Sequence, residues 1–331
     1  MAIVLLVAAL IAVAHTCNAF KAMGYYFIPG SLNSLEREIA RLDEVSFDTF
    51  AIDRRGNVRG SVPKAARDTA RRNNATLEYL CVTNYGPNDF NGPRVHAVLS
   101  NIRSRNRLIN ALVAKTKADK YDGVNIDFEA IPRKDRNKFT TFIRLLSQRL
   151  HAIKRKLVVS VPAKEQDDIF NEWSGAFNFA ALGRYVDVLQ LMTYDEHGPW
   201  DPENPGPVAG LDWVKRCVQY ALSVMPPGKI SVGIPAYGYV YDLTGKKAES
   251  LRWRDFSSVT SKGTMQWDVT AASPYVEWTT EDGKSMVAWI ENAQSIREKA
   301  NFIRNTTGIH GASVWALGHE DSSFWDALLD V

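Results

Sequence analysis

Three cysteines in 331 residues, Cys17, Cys81 and Cys217, are too few for a disulfide-built scaffold and show no zinc-ligand spacing. A single bridge between Cys81, on an expected strand, and Cys217, on an expected helix, stays open. The chain also lacks an excess of one charge: 40 Lys and Arg against 37 Asp and Glu leave +3. Its small basic clusters, at Arg54-Arg55, Arg71-Arg72, 103–107 and 154–156, have no interleaved aromatics. They read as solvated helix faces, which excludes a nucleic-acid groove. No apolar run is long enough to cross a bilayer. The run at 3–13 is short and is followed by Cys17-Asn18-Ala19, a small-residue pattern suited to signal cleavage. Residues 1–19 are therefore expected to be a secretory signal, and 20–331 a secreted (or lysosomal or periplasmic) protein with no membrane association. Repeats and low-complexity tracts are absent too. Asn74 and Asn305 begin glycosylation sequons, which matter only in a eukaryotic host.

What is present is a regular alternation. With 45% apolar residues the chain can bury one large core. Strand patterns occur at 23–27, 47–52, 77–83, 123–129, 157–161, 186–192, 230–235 and 311–316. Amphipathic stretches lie between them at 34–43, 95–118, 135–153, 211–224 and 293–304. This order predicts an α/β fold, a (β/α)8 TIM barrel forming a single domain over 20–331. The runner-up, a doubly wound open sheet, would call for a Gly-rich phosphate loop after the first strand, and none is found. The spacing breaks once: residues 239–292, between strand 7 and helix 7, read as short strands and turns carrying Trp253, Trp267, Tyr275, Trp278 and Trp289. A small α+β insertion there would stand at the catalytic end of a barrel and wall its site.

The most informative segment is Asp122-Gly123-Val124-Asn125-Ile126-Asp127-Phe128-Glu129. In a strand, Asn125, Asp127 and Glu129 would share one face, with Val124, Ile126 and Phe128 on the other. Burying two carboxylates and an amide costs several kcal/mol unless they are paired or neutralised. Two acids at a strand's C-terminal end suit a protonated general acid beside a charged partner. A solvated or salt-bridged acid pair, with Arg133 or Lys134 nearby, is the bland alternative. Other strand ends add candidates. The sixth ends Leu191-Met192-Thr193-Tyr194-Asp195, where the Tyr194 hydroxyl could donate to an oxygen on which charge develops. The seventh ends Pro235-Ala236-Tyr237-Gly238-Tyr239, and the eighth carries Trp315, whose flat ring suits a pyranose face.

The pattern D-G-x-N-x-D-x-E resembles the signature of glycoside hydrolase family 18, which includes chitinases and N-acetylglucosaminidases. The usual family form has Asp at the position of Asn125; the same departure occurs in its di-N-acetylchitobiase-like and spore-cortex-lytic branches. The resemblance continues in M-x-Y-D on strand 6, G-x-P-x-Y-G-Y on strand 7 and Trp315 on strand 8. The stretches YDGVNIDFEAIPRKDR (121–136), VSVPAK (159–164), LMTYDEH (191–197) and GPVAGLDW (206–213) are similar to the spore-cortex-lytic glucosaminidases. Trp289-Ile290-Glu291-Asn292 is similar to both branches. Strand 3, which runs into Thr83-Asn84-Tyr85-Gly86, lacks the S-x-G-G common in chitinases of the family, which argues against a standard long-chain chitinase.

The resemblance implies a retaining, substrate-assisted hydrolase of β-1,4 linkages next to N-acetylglucosamine, with no cofactor and no metal. It implies Glu129 as general acid/base, Asp127 as the residue that orients the substrate acetamide, and Tyr194 as the donor to its oxygen. Asn125, Trp315, Asp195, Met192, Tyr25, Tyr237 and Trp289 are the expected substrate-binding residues. The partner is a GlcNAc-containing oligo- or polysaccharide (chitooligosaccharide, peptidoglycan or N-glycan core), and the expected state is a monomer. A non-catalytic lectin on the same fold is the alternative, though such proteins usually lose the terminal Glu, kept here as Glu129. An inhibitor or storage protein is a third reading.

Overall fold

The computed structural model describes residues 20–27, 30–87 and 89–330. The expected signal segment, 1–19, lies outside the described residues. Eight parallel strands close into a barrel: β1 (Lys21–Tyr26), β2 (Glu44–Ile52), β4 (Leu77–Thr83), β5 (Gly123–Asp127), β6 (Lys156–Pro162), β7 (Val188–Met192), β8 (Ile230–Pro235) and β14 (Gly311–Trp315). Here β3 (Val58–Gly60) is a short antiparallel partner of β2. Closure comes from β1, which pairs in parallel with β14 on one side and β2 on the other. Outward side chains such as Leu80, Val82, Val124, Ile126 and Phe128 pack under the helices. Met23, Tyr25, Tyr79, Cys81, Val158, Val188 and Ala316 fill the interior. Strands covered on both faces read as near-continuous apolar runs, which is why eight of them stand out in the sequence.

The helices are α1 (Ser31–Glu38), α2 (Lys64–Arg72), α3 (Gly92–Ser100), α4 (Ile102–Ala118), α5 (Arg136–His151), α6 (Phe179–Leu182), α7 (Leu211–Val224), α8 (Ser257–Thr260), α9 (Ala293–Asn305) and α10 (Ser322–Leu329). The single helix expected over 95–118 is two. Asn101 breaks it in extended geometry, and its Oδ1 accepts from the N–H groups of Arg103 and Ser104 at 2.9 and 3.1 Å, capping α4. After β6 the barrel helix shrinks to α6, behind a long loop.

Between β8 and α9 the chain forms an antiparallel sheet of β9 (Tyr237–Asp242), β10 (Lys247–Arg252), β11 (Met265–Asp268), β12 (Ser273–Thr279) and β13 (Ser285–Trp289), in the order β10-β9-β13-β12-β11. It begins at Tyr237 because the chain passes from β8 into β9 across one residue. Among the described residues, no helix is long and apolar enough to cross a membrane. Cys81 and Cys217 are both buried and free, the first on β4 and the second on α7, so they form no bridge.

β5 stops at Asp127, two residues short of the expected strand end. Ala130 turns into the left-handed region at φ 52°, which ends the ladder. The alternation nonetheless persists past the last ladder bond: Phe128 is buried in the helix layer, stacked 6.0 Å from Phe142. Gly123 opens the strand where a Cβ would lie 2.4 Å from the Lys156 carbonyl oxygen of β6, so only glycine lets the two backbones approach.

Candidate active site

Polar side chains from neighbouring strands meet at one level inside the barrel. Asn125 donates through Nδ2 to Tyr25 Oη at 2.8 Å and to Ser46 Oγ at 3.0 Å, and its Oδ1 accepts from Ser160 at 3.2 Å. Tyr25 Oη also lies 2.9 Å from Ser160 Oγ and 3.4 Å from Gln190 Oε1. All five side chains are buried, and an amide with both donors and its acceptor engaged is a satisfied hub. Asn125 and Tyr25 thus stand beneath the mouth, bonded to other strands.

One pleat higher, Asp127 is 4% exposed, and its Oδ1 is buried without a hydrogen-bond partner. Asp48, on β2, has the same deficit at its own Oδ1. A carboxylate oxygen of each, together with Cys81 Sγ, lies within 4.8 Å of the others. Burial pushes the Asp127 carboxyl well above the ordinary range and the nearby Asp48 charge adds to this, while a hydrogen bond with Ser160 opposes. Burial likewise raises Asp48 to about 6, with Cys81 opposing. The Cys81 thiol is pushed up by burial, then by Asp48 and Asp127. Among the described residues this is the one grouping of acids and thiols close enough to consider for a cation. A buried thiol that keeps its proton makes it a poor metal site.

Glu129 sits just beyond the strand. Its N–H donates to Asn84 Oδ1 at 2.9 Å, and Asn84 Nδ2 donates back to its carbonyl at 2.8 Å. The side chain of Asn84, wholly buried after β4, thereby replaces the missing ladder bonds. The Glu129 carboxyl is held well above its ordinary value, first by burial and then by the negative charges of Asp127, Asp195, Asp48 and Asp89.

The opposite side of the mouth comes from β7 and the insertion. Tyr194 follows β7; burial raises its hydroxyl, and the charges felt there include Asp127, Glu129 and Asp195. A Cβ on Gly233 of β8 would lie 2.8 Å from the Tyr194 ring, so glycine makes the room for it. Asp195, at φ 62°, accepts from the hydroxyls of Tyr237 and Tyr239 at 2.6 Å each, tying the β7 end to the insertion. Trp315 is half-buried, stacked on Phe27 at 4.7 Å and tilted against Tyr25 at 5.6 Å. His319 packs edge-on to Phe27 and Tyr237, and burial lowers its pKa to about 4, keeping the ring neutral.

The sequence candidates therefore fall into three positions. Asp127, Glu129, Tyr194, Asp195, Tyr237 and Trp315 converge at the mouth. Asn125 and Tyr25 lie below it. Met192 ends β7 half-buried, and Trp289 stays on the insertion wall, stacked 4.6 Å from Tyr275 and paired in register with Tyr239. Sequence reasoning missed Asp48, Asn84, Ser160 and His319. Of these only Asn84, a polar residue straight after a strand, carried a usable signal. Exposed aromatics rim the same end on the loops after β6 and β7: Phe170 at 71%, Trp173 at 49% and Trp200 at 61%.

Residues 86–320, more than half the chain, match the family described as glycosyl hydrolases family 18. The chain is 34% identical over 303 residues to an uncharacterized glycosylase, YvbX, of Bacillus subtilis, covering 90% of this chain and 87% of that protein. It is 26% identical over 288 residues to the cortical fragment-lytic enzyme of B. subtilis, covering 85% of this chain and 66% of that protein. The crystal structure of a chitinase from Chromobacterium violaceum superposes with a TM-score of 0.86 at 34% identity, covering 94% of this chain and 98% of that one.

Proposed function

The chain belongs to glycosyl hydrolase family 18 and is a glycosidase, and from that premise we propose that it hydrolyses β-1,4 linkages next to N-acetylglucosamine with retention of configuration. The observation that carries the proposal is the convergence of Asp127 and Glu129 with Tyr194 at the barrel mouth that Trp315 also lines, with the Glu129 carboxyl held well above its ordinary pKa. Glu129 protonates the glycosidic oxygen as that bond breaks. The 2-acetamido oxygen of the same sugar attacks the anomeric carbon and forms an oxazolinium ion. Asp127, as the anion, accepts the amide N–H and balances the positive charge; the Tyr194 hydroxyl donates to the acetamide oxygen. Glu129, now deprotonated, takes a proton from the water that opens the ring. No cofactor enters the reaction. Trp315 supports the apolar face of the reacting sugar.

Chitooligosaccharides and peptidoglycan are both proposed substrates, in line with a chitinase and a cortical fragment-lytic enzyme among the relatives. The enzyme is proposed to leave the cell through the secretory route, a reading supported by the apolar run at 3–13 and Cys17-Asn18-Ala19. The N-terminal sequence of the protein recovered from medium tests it, and an uncleaved N-terminus refutes it. Activity is tested with aryl glycosides of GlcNAc oligomers. Glu129→Gln keeps the shape and removes the acid, and its kcat is expected to fall at least about a hundredfold. Near wild-type turnover by this variant would overturn the assignment. Mass analysis of products from defined GlcNAc oligomers and from digested peptidoglycan separates the two substrates.

A further inference from the structure

Asp127 has to be an anion when positive charge develops on the substrate amide, yet it is buried, and no hydrogen bond holds its Oδ1. The residue beneath it on its own strand, Asn125, cannot take a proton, and its amide is already engaged with Tyr25, Ser46 and Ser160. The inward group that can take one is on another strand. Asp48 occupies an irregular place in β2: Phe47 pairs with Leu80 and Asp48 with Cys81, but Phe50 pairs with Val82, so Thr49 is an extra residue. A bulge of this kind re-aims side chains, and here it accompanies a carboxylate turned inward beside Asp127. Each carboxyl keeps one oxygen, Oδ1, without a hydrogen-bond partner, although Ser160 bonds to Asp127 and Cys81 to Asp48.

We propose that Asp48 is a positioning residue of this reaction, accepting the proton of Asp127 when that carboxylate turns to the substrate amide. The inference rests on the substrate-assisted reading above. One proton leaves Asp127 and arrives on Asp48; the pair carries one negative charge before and after, and that charge moves to Asp127. On return of Asp127 to its resting state the proton goes back. The titratable groups around the pair are Cys81 on β4, Tyr25 on β1, Glu129 after β5, and Tyr194 with Asp195 after β7; Asp89 also acts on Glu129. Within the pair, burial raises Asp48 to about 6, while Asp127 is pushed well above the ordinary range.

The test compares wild type, Asp48→Asn, and the double variant Asp48→Asn/Asn125→Asp on an aryl chitobioside across pH 4.5–8. Wild-type kcat is expected to fall as pH drops through about 6, where Asp48 keeps its own proton and can accept no other. Asp48→Asn should lose roughly tenfold to a hundredfold in kcat with little change in KM, and lose that inflection. Asn125→Asp in the same background should restore at least part of kcat and a limb in the acid range. Unchanged kcat and an unchanged inflection in Asp48→Asn would overturn the proposal. So would a loss that tracks a lowered melting temperature and is not rescued by Asn125→Asp. Either outcome is distinct from failure of the parent reading, which is decided by the activity of Glu129→Gln.

Discussion

Replacing Asn84 with alanine should damage catalysis from a residue that touches no reacting atom. The Asn84 amide makes two hydrogen bonds to the Glu129 backbone, 2.9 Å from its N–H and 2.8 Å from its carbonyl, at the point where β5 has already ended. Alanine leaves both backbone groups without these partners. A buried polar group left unpaired costs about 1–3 kcal/mol, and water entering from the cleft recovers part of it, so the expected destabilisation is about 1–3 kcal/mol in total. The larger consequence is positional. Next to Ala130 at φ 52°, the freed segment can shift, and a displacement near 1 Å of a catalytic group costs on the order of a hundredfold in rate. The variant should therefore show a kcat reduced roughly tenfold to a hundredfold, with KM changed much less, measured with an aryl chitobioside beside a thermal melt. Wild-type kcat in Asn84→Ala would refute the claim that this amide sets the place of Glu129.

Three further outcomes are expected. In the proposed mechanism Glu129, its carboxyl raised by burial, acts first as an acid, so kcat/KM should decline as pH rises through its pKa; a profile flat to pH 10 would contradict this. Burial pushes Glu196 up to about 7, so the fold loses stability as pH rises from the ordinary glutamate value toward 7 and carries the full cost above it. Glu196→Gln can still accept the Gly210 N–H; allowing for solvent access it should gain about 1–2 kcal/mol and a few degrees in Tm at pH 8 and nothing at pH 4, and equal shifts at both pH values would refute the cause. Trp200, 61% exposed and edge-on to Tyr239, should serve only long substrates. Trp200→Ala is expected to raise KM a fewfold for GlcNAc hexamers and leave a chitobioside unaffected; no chain-length dependence would remove Trp200 from the groove.

The barrel was legible because its strands are covered on both faces and so appear as apolar runs, and the break at 239–292 showed where a second sheet had to fit. The places where the reading fell short share a physical cause: polar groups used inside the barrel have no periodic signature. Strand β2 starts at Glu44, not at the first aromatic, because buried Glu44 and Ser46 belong to the interior. Asp48 looks like an ordinary polar break in Ser46-Phe47-Asp48-Thr49-Phe50, and only the bulge and the register with Cys81 place it beside Asp127. The octapeptide on β5 carried the acids, but a strand pattern cannot report that Asn84, from a different strand, takes over the hydrogen bonding at Glu129. Asn125 was legible as an inward residue; that its amide would be spent on Tyr25, Ser46 and Ser160 depends on three strands at once.

The proposed roles of Asp127, Tyr194 and Glu129 all require the substrate's own amide to act as the nucleophile. The most direct measurement is kcat/KM for aryl glycosides whose N-acetyl group is replaced in turn by mono-, di- and trifluoroacetyl, which weakens the carbonyl oxygen as a nucleophile with little change in shape. A steep, monotonic fall along the series is the result predicted. A rate independent of fluorination would mean that the amide does not attack, and the assignment of Asp127 and Tyr194 would fall with it.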